Sequence, residues 1–266
     1  TRKESSAASD VYKDSGSGKA GGGAHSIDLL DIHHATVQAF TQDAVGDADT
    51  DREKARRLFA AVRDQIRYDP YTVSDKPDHY RASHVIESGR GYCVPKAVVL
   101  TAAFRAANIP ARLGFADVRN HLQTDALREL MGTDVFVYHG YSHVYIEGRW
   151  LKATPAFNIE LCTRFGVPPI DFTGDRDALF HAHAADGSAH MEYVHERGVY
   201  NDLPLEEILA GLRHAYGPLI FSGGQLRPTH SAHSVRSGGL PPQVTARSNT
   251  RATTFGQIPS HSVHHH

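Results

Sequence analysis

The chain has 266 residues, with 28 Lys and Arg against 30 Asp and Glu, and only two cysteines. A formal charge of −2 leaves no electrostatic footprint for nucleic acid. No apolar run reaches the roughly 20 residues needed to cross a bilayer, so no membrane partner is expected. Two cysteines make no disulfide framework and read as free thiols of a reducing compartment. The first residues also lack the apolar core of a secretory signal, and a cytoplasmic protein is expected. Nineteen histidines invite a metal reading, but His230, His233, His261, His264, His265 and His266 stand in the C-terminal tail.

Composition divides the chain into three. Residues 1–24 are rich in Gly, Ser and Lys, and residues 222–266 carry many breakers without apolar periodicity. Both read as disordered tails, leaving one domain over 25–221. Within it, Thr50-Asp51-Arg52-Glu53 is a capping-box pattern opening a helix whose inner face is Ala55, Leu58, Val62 and Ile66. RYDPY, 67–71, breaks that helix. A second helix is expected from Cys93, with Pro95 in its first turn, a stripe of Ala97, Leu100, Phe104 and Ala107, and Asn108 as its stop.

Beyond Asn108 the apolar period changes from about 3.6 to 2. ARLGFADV (111–118), DVFVY (134–138), SHVYIE (142–147) and RWLKAT (149–154) read as strands, the last two joined by a tight turn at Glu147-Gly148. A last helix starts at Asn201-Asp202-Leu203-Pro204, buries Ile208, Leu209 and Leu212, and stops at Gly217-Pro218. One central helix followed by hairpin-linked strands predicts an α+β domain with an antiparallel sheet.

Cys93 lies between a glycine-rich turn and a helix start, an address suited to a nucleophile, because the thiolate attacks and a helix N-terminus stabilises it. Such a thiol needs a base within hydrogen-bond reach and a group to orient that base. His139 opens a strand and Thr154 ends the next, so an antiparallel hairpin brings the two together.

RGYCVPKAVVLTAAFRAANIPAR followed by HGYSHVYIEGRW resembles the transglutaminase-like superfamily of papain-like thiol enzymes, over roughly residues 51–158. The resemblance implies a papain-like core with the cysteine helix packed on an antiparallel sheet, Cys93 as nucleophile and His139 as base. Alignment through Val144, Tyr145 and Trp150 selects His139 over His143, which takes a place where the family often has Glu. The family's aspartate is replaced by Thr154, which can accept an imidazole N–H but cannot stabilise imidazolium by charge. Asn158 is the alternative orienting residue.

Tyr92, Asp117, Asn120 and His143 are candidates for substrate contacts; Tyr92 reads equally as a core residue, and Asp117 and Asn120 equally as a polar exit from a strand. Cys162 has neither a Gly turn nor a base and reads as packing. His181, His183, His190 and His195 fit no standard metal spacing and read as incidental to a polar loop, so no metal and no cofactor are expected. The first expectation is a cofactor-free hydrolase or acyl transferase acting on a peptide or small-molecule amide or thioester. The rival, favoured by Thr154, is a binding module that kept the fold and lost the chemistry. Oligomeric state is left open.

Overall fold

The computed structural model describes residues 28–222. Both expected tails, except Ser222, lie outside these residues, as do residues 25–27 of the expected domain. The chain opens with α1 (Ala35–Val45) and α2 (Asp51–Gln65), then a short strand β1 (Arg67–Tyr68) and 3-10 turns at Pro70–Thr72 and Pro77–Tyr80. Next come α3 (Ala82–Ser88), β2 (Arg90–Gly91) and α4 (Cys93–Ala106). The second half holds β3 (Ala111–Asn120), α5 (Asp125–Met131), β4 (Val135–Ile146), β5 (Arg149–Ala153), α6 (Ile159–Phe165), β6 (Met191–Tyr200) and α7 (Leu205–Tyr216). The main sheet has the order β5-β4-β3-β6, antiparallel throughout, and α4 packs across β4 and β3. The result is the α+β architecture expected from the change of period, with the cysteine helix at its centre.

Local chemistry explains the elements. Thr50 Oγ1 accepts the Glu53 N–H at 3.2 Å and caps α2, whose Ala55, Leu58, Val62 and Ile66 are all buried. The Glu53 side chain holds Arg56 and Arg57 at 2.7–2.8 Å. Helix α4 is buried continuously from Cys93 to Phe104, so the single stripe expected from periodicity underestimates it. A helix enclosed on all sides has little amphipathic signal to read. Asn108 ends it in the left-handed region (φ 62°), with the Ile109 N–H returning to Phe104 O at 2.8 Å.

The expected segments 134–138 and 142–147 form one strand, β4, rather than two. His139, Gly140 and Tyr141 continue the pairing with Ala116, Phe115 and Gly114, after an irregularity where Tyr138 takes φ 55°. Glu147 and Gly148 both have positive φ, the requirement of the tight hairpin turn into β5. The polar segment ending in His195 corrects the reading as a loop: Met191–Tyr200 is the edge strand β6. Two register shifts against β3 and an exposed run, Glu192 and Val194 to Glu196, break the alternation that would have revealed it.

Candidate active site

Cys93 is the first residue of α4 and is 9% exposed. Gly140 allows β4 to close on that first turn. A methyl group at Gly140 would stand 3.0 Å from Val94 Cα and 3.3 Å from Cys93 O. Further along β4, Ser142 Oγ donates to Ala97 O (3.2 Å) and pairs with Thr101 Oγ1 (2.8 Å), fixing the strand to the helix. The close approach sets His139, the chain neighbour of Gly140, beside the turn that carries the thiol.

The electrostatics differ from the expectation of a thiol activated by its helix. Burial pushes the Cys93 thiol up to about 11, although backbone N–H groups of Gly140, Val94 and Cys93 pull the other way. Tyr68, Tyr80, Tyr92, Tyr193 and Tyr216 lie within electrostatic reach of its sulfur and supply no positive charge. Burial alone pulls His139 down to about 3. Both groups are therefore neutral at neutral pH. Desolvation of a charged form outweighs a helix terminus, which is worth about 0.3–2 kcal/mol.

His139 packs against Phe180 (ring centroids 4.6 Å apart) and meets Tyr193 edge-on at 6.2 Å. Its Nε2 is buried with no hydrogen-bond partner among the described residues. Thr154 is fully buried, its N–H donating to Ala178 O at 2.9 Å, and its Oγ1 also lacks a well-formed hydrogen bond. The bond from Thr154 to His139 is thus not made. The Tyr193 phenol draws some stabilisation from the Thr154 hydroxyl without full hydrogen-bond geometry, so Tyr193 is the neighbour common to His139 and Thr154. Asn158 Oδ1 accepts the Tyr68 N–H at 3.2 Å, which commits its acceptor elsewhere.

The remaining candidates are dispersed. Tyr92 caps the N-terminal side of α4, its hydroxyl 3.0 Å from that of Tyr80. Asp117 accepts two bonds from Arg197, one at 2.8 Å, and the Tyr138 N–H at 3.0 Å, the contacts of a structural carboxylate. Asn120 Oδ1 accepts the Leu122 N–H at 3.0 Å. His143 packs against Trp150 in a tilted arrangement, ring centroids 5.0 Å apart, and burial, aided by Lys152, pulls it down to about 4. Cys162 is buried in α6. Among the described residues no three His, Cys, Asp or Glu side chains converge on a common metal position. The sequence reading missed Gly140 as the contact with the thiol's turn, and missed Phe180 and Tyr193 around His139. A small residue after a strand-opening histidine was the available signal for Gly140. Phe180 lies in an irregular segment and Tyr193 on the irregular strand β6, where no period marks either one.

A model of the transglutaminase-like superfamily matches residues 38–155, a span that contains Cys93, His139 and Thr154. Among solved structures, the chain is similar to a candidate cysteine protease from Cytophaga hutchinsonii at 18% identity and a TM-score of 0.37, covering 49% of this chain and 39% of that one. It is also similar to a candidate protease from Parabacteroides distasonis at 17% identity and a TM-score of 0.33, covering 47% of this chain and 25% of that one. A third structure, a TGase, shares 14% identity at a TM-score of 0.36, covering 59% of this chain and 39% of the other. The chain thus spans between 25% and 39% of the length of these structures. The search of curated proteins gave no match.

Proposed function

From the transglutaminase-like core of residues 38–155, we propose that this protein is a thiol-dependent hydrolase or acyl transferase acting on an amide or thioester carbonyl. The observation that carries the reading is His139: a buried, neutral imidazole with an unpartnered nitrogen, set beside the helix start that holds a free thiol. Buried polar atoms normally find partners, and an orphan at such a place has a use when a substrate arrives. The resting pair is thiol and imidazole, so the proton moves during attack rather than before it. Cys93 Sγ forms a bond to the carbonyl carbon while its proton passes to His139. The backbone N–H groups at the start of α4 face the developing oxyanion. His139 then returns the proton to the departing amine or thiol, leaving a thioester on Cys93. Water releases an acid from it, and an amine releases a new amide. A peptide or small molecule is the substrate class.

Thr154 favours a second reading, a binding module with impaired chemistry, because among the described residues no acid acts on His139 and the Thr154 hydroxyl makes no well-formed bond. An electrophilic amide probe followed by peptide mapping separates the two. The enzyme reading expects modification at Cys93 that His139→Ala abolishes and His143→Ala leaves intact. Equal modification of all three proteins would favour the module.

A further inference from the structure

A cavity of about 530 Å³ opens between the 70–80 segment, α3 and the turn before α4. Gly91, Tyr92 and Pro95 form one wall, but neither Cys93 nor His139 lines it. The nucleophile reading therefore gives this space no role.

Its charges lean positive. Lys76 and Arg90 line it, and neither makes an ion pair with an acid among the described residues. His79 and His84 line it as a stacked pair, ring centroids 5.1 Å apart and nearly parallel. Asp75 is the one acid in the lining, while nearby Asp78 is held by Arg81 at 2.9 Å. Lys76 and Arg90 against Asp75 leave the lining with a positive excess over a partly enclosed space, and the stacked imidazoles add polar ring surface rather than charge, since burial pulls His79 below its ordinary value. The walls are aromatic as well as basic. The Tyr80 hydroxyl donates to Ser74 O (2.8 Å) and accepts from the Tyr92 hydroxyl (3.0 Å), and both of these rings are buried, so the accessible ring surface of the lining belongs to half-buried Tyr71 and Phe221.

The geometry points to this cavity as a binding site for an organic anion, its carboxylates met by Lys76 and Arg90 and its planar or apolar body laid against Tyr71 and Phe221. A bare phosphate would leave most of the volume and the aromatic surface unused. Arg90 offers a planar fork suited to a carboxylate, and Lys76 adds a mobile point charge. The assignment does not depend on chemistry at Cys93.

The test uses the full chain with N-benzoylglutamate, which carries two carboxylates on an aromatic body, and its uncharged analogue N-benzoylglutamine amide. Titration calorimetry reads affinity, and the ring-proton NMR signals of His79 and His84 locate the ligand. The dianion is expected to bind and shift both histidines, with the neutral analogue about tenfold weaker. The double variant Lys76→Gln, Arg90→Gln alters exposed side chains and should melt as the parent does, yet bind the dianion about tenfold more weakly. Cys93→Ser should bind unchanged. Absence of binding, equal affinity for both compounds, or indifference to the double substitution would each overturn the site. Inorganic phosphate competing as well as the dianion would overturn the organic-anion assignment.

Discussion

Gly140→Ala places a methyl group where β4 meets the first turn of α4. That methyl would stand 3.0 Å from Val94 Cα and 3.3 Å from both Ala97 Cβ and Cys93 O. Ordinary contacts lie at 3.4–4 Å, and the closest atom here is backbone, which cannot turn aside as a side chain can. The sheet and the helix must separate by a few tenths of an ångström, against the Ser142 bonds to Ala97 and Thr101 that hold them together. Overpacking of this kind costs about 1–3 kcal/mol. For a domain of this size each kcal/mol lowers Tm by about 2–4 °C, so thermal unfolding should fall by about 2–12 °C. The same movement displaces Cys93 from His139, and misplacements approaching 1 Å can cost about a hundredfold in rate. Circular dichroism melts and acylation of Cys93 by an activated ester measure the two effects. A variant that melts and acylates like the parent would refute the close approach of Gly140 to the helix start.

Other substitutions probe the rest of the core. Thr154→Val removes a buried hydroxyl that lacks a well-formed bond, so stability should hold or rise by up to about 1 kcal/mol, and the pH profile of Cys93 alkylation should not move. Thr154→Asp should raise the His139 pKa by charge and increase alkylation near neutral pH; superimposable profiles for all three proteins would show that residue 154 does not reach the imidazole. Buried Lys96 donates to Arg63 O (2.9 Å) and Ile66 O at the end of α2, so Lys96→Met should cost about 1–3 kcal/mol for unpaired carbonyls, checked by urea unfolding. Burial holds Lys96 down at about 7 against an ordinary 10.5, so between those values the unfolded chain binds more protons. Parent stability should therefore rise with pH across that window, and Lys96→Met should lose that part of the slope.

The sequence carried the parts of the fold that have a period or a cap. Thr50 announced α2 and four buried positions along it, and Glu147-Gly148 announced the hairpin between β4 and β5. Helix α4 was located by its glycine turn and proline, while the extent of its burial stayed hidden because no polar face marks a fully enclosed helix. The edge strand β6 was lost to two register shifts and exposed charges. At the site, spacing singled out Cys93 and His139 as candidates, but the protonation states were not legible. A helix start argues for a thiolate, and only the packing of Tyr68, Tyr92 and Phe180 reveals how dry the surroundings are. Desolvation depends on neighbours from distant parts of the chain, and no local motif records it. The same holds for Asp117, whose commitment to Arg197 is made across β3 and β6.

The most direct measurement of the central claim is rapid-mixing acylation with p-nitrophenyl acetate, followed by mass mapping of the acetylated peptide. A nucleophilic Cys93 served by His139 should release a burst of p-nitrophenolate equal to the enzyme concentration, with the acetyl group on the peptide containing Cys93. Cys93→Ser should lose the burst, and His139→Ala should slow it by about a hundredfold or more, the scale of general-base assistance. Acetylation confined to Cys162 or to lysines, or a burst on Cys93 that His139→Ala leaves at the parent rate, would contradict the account.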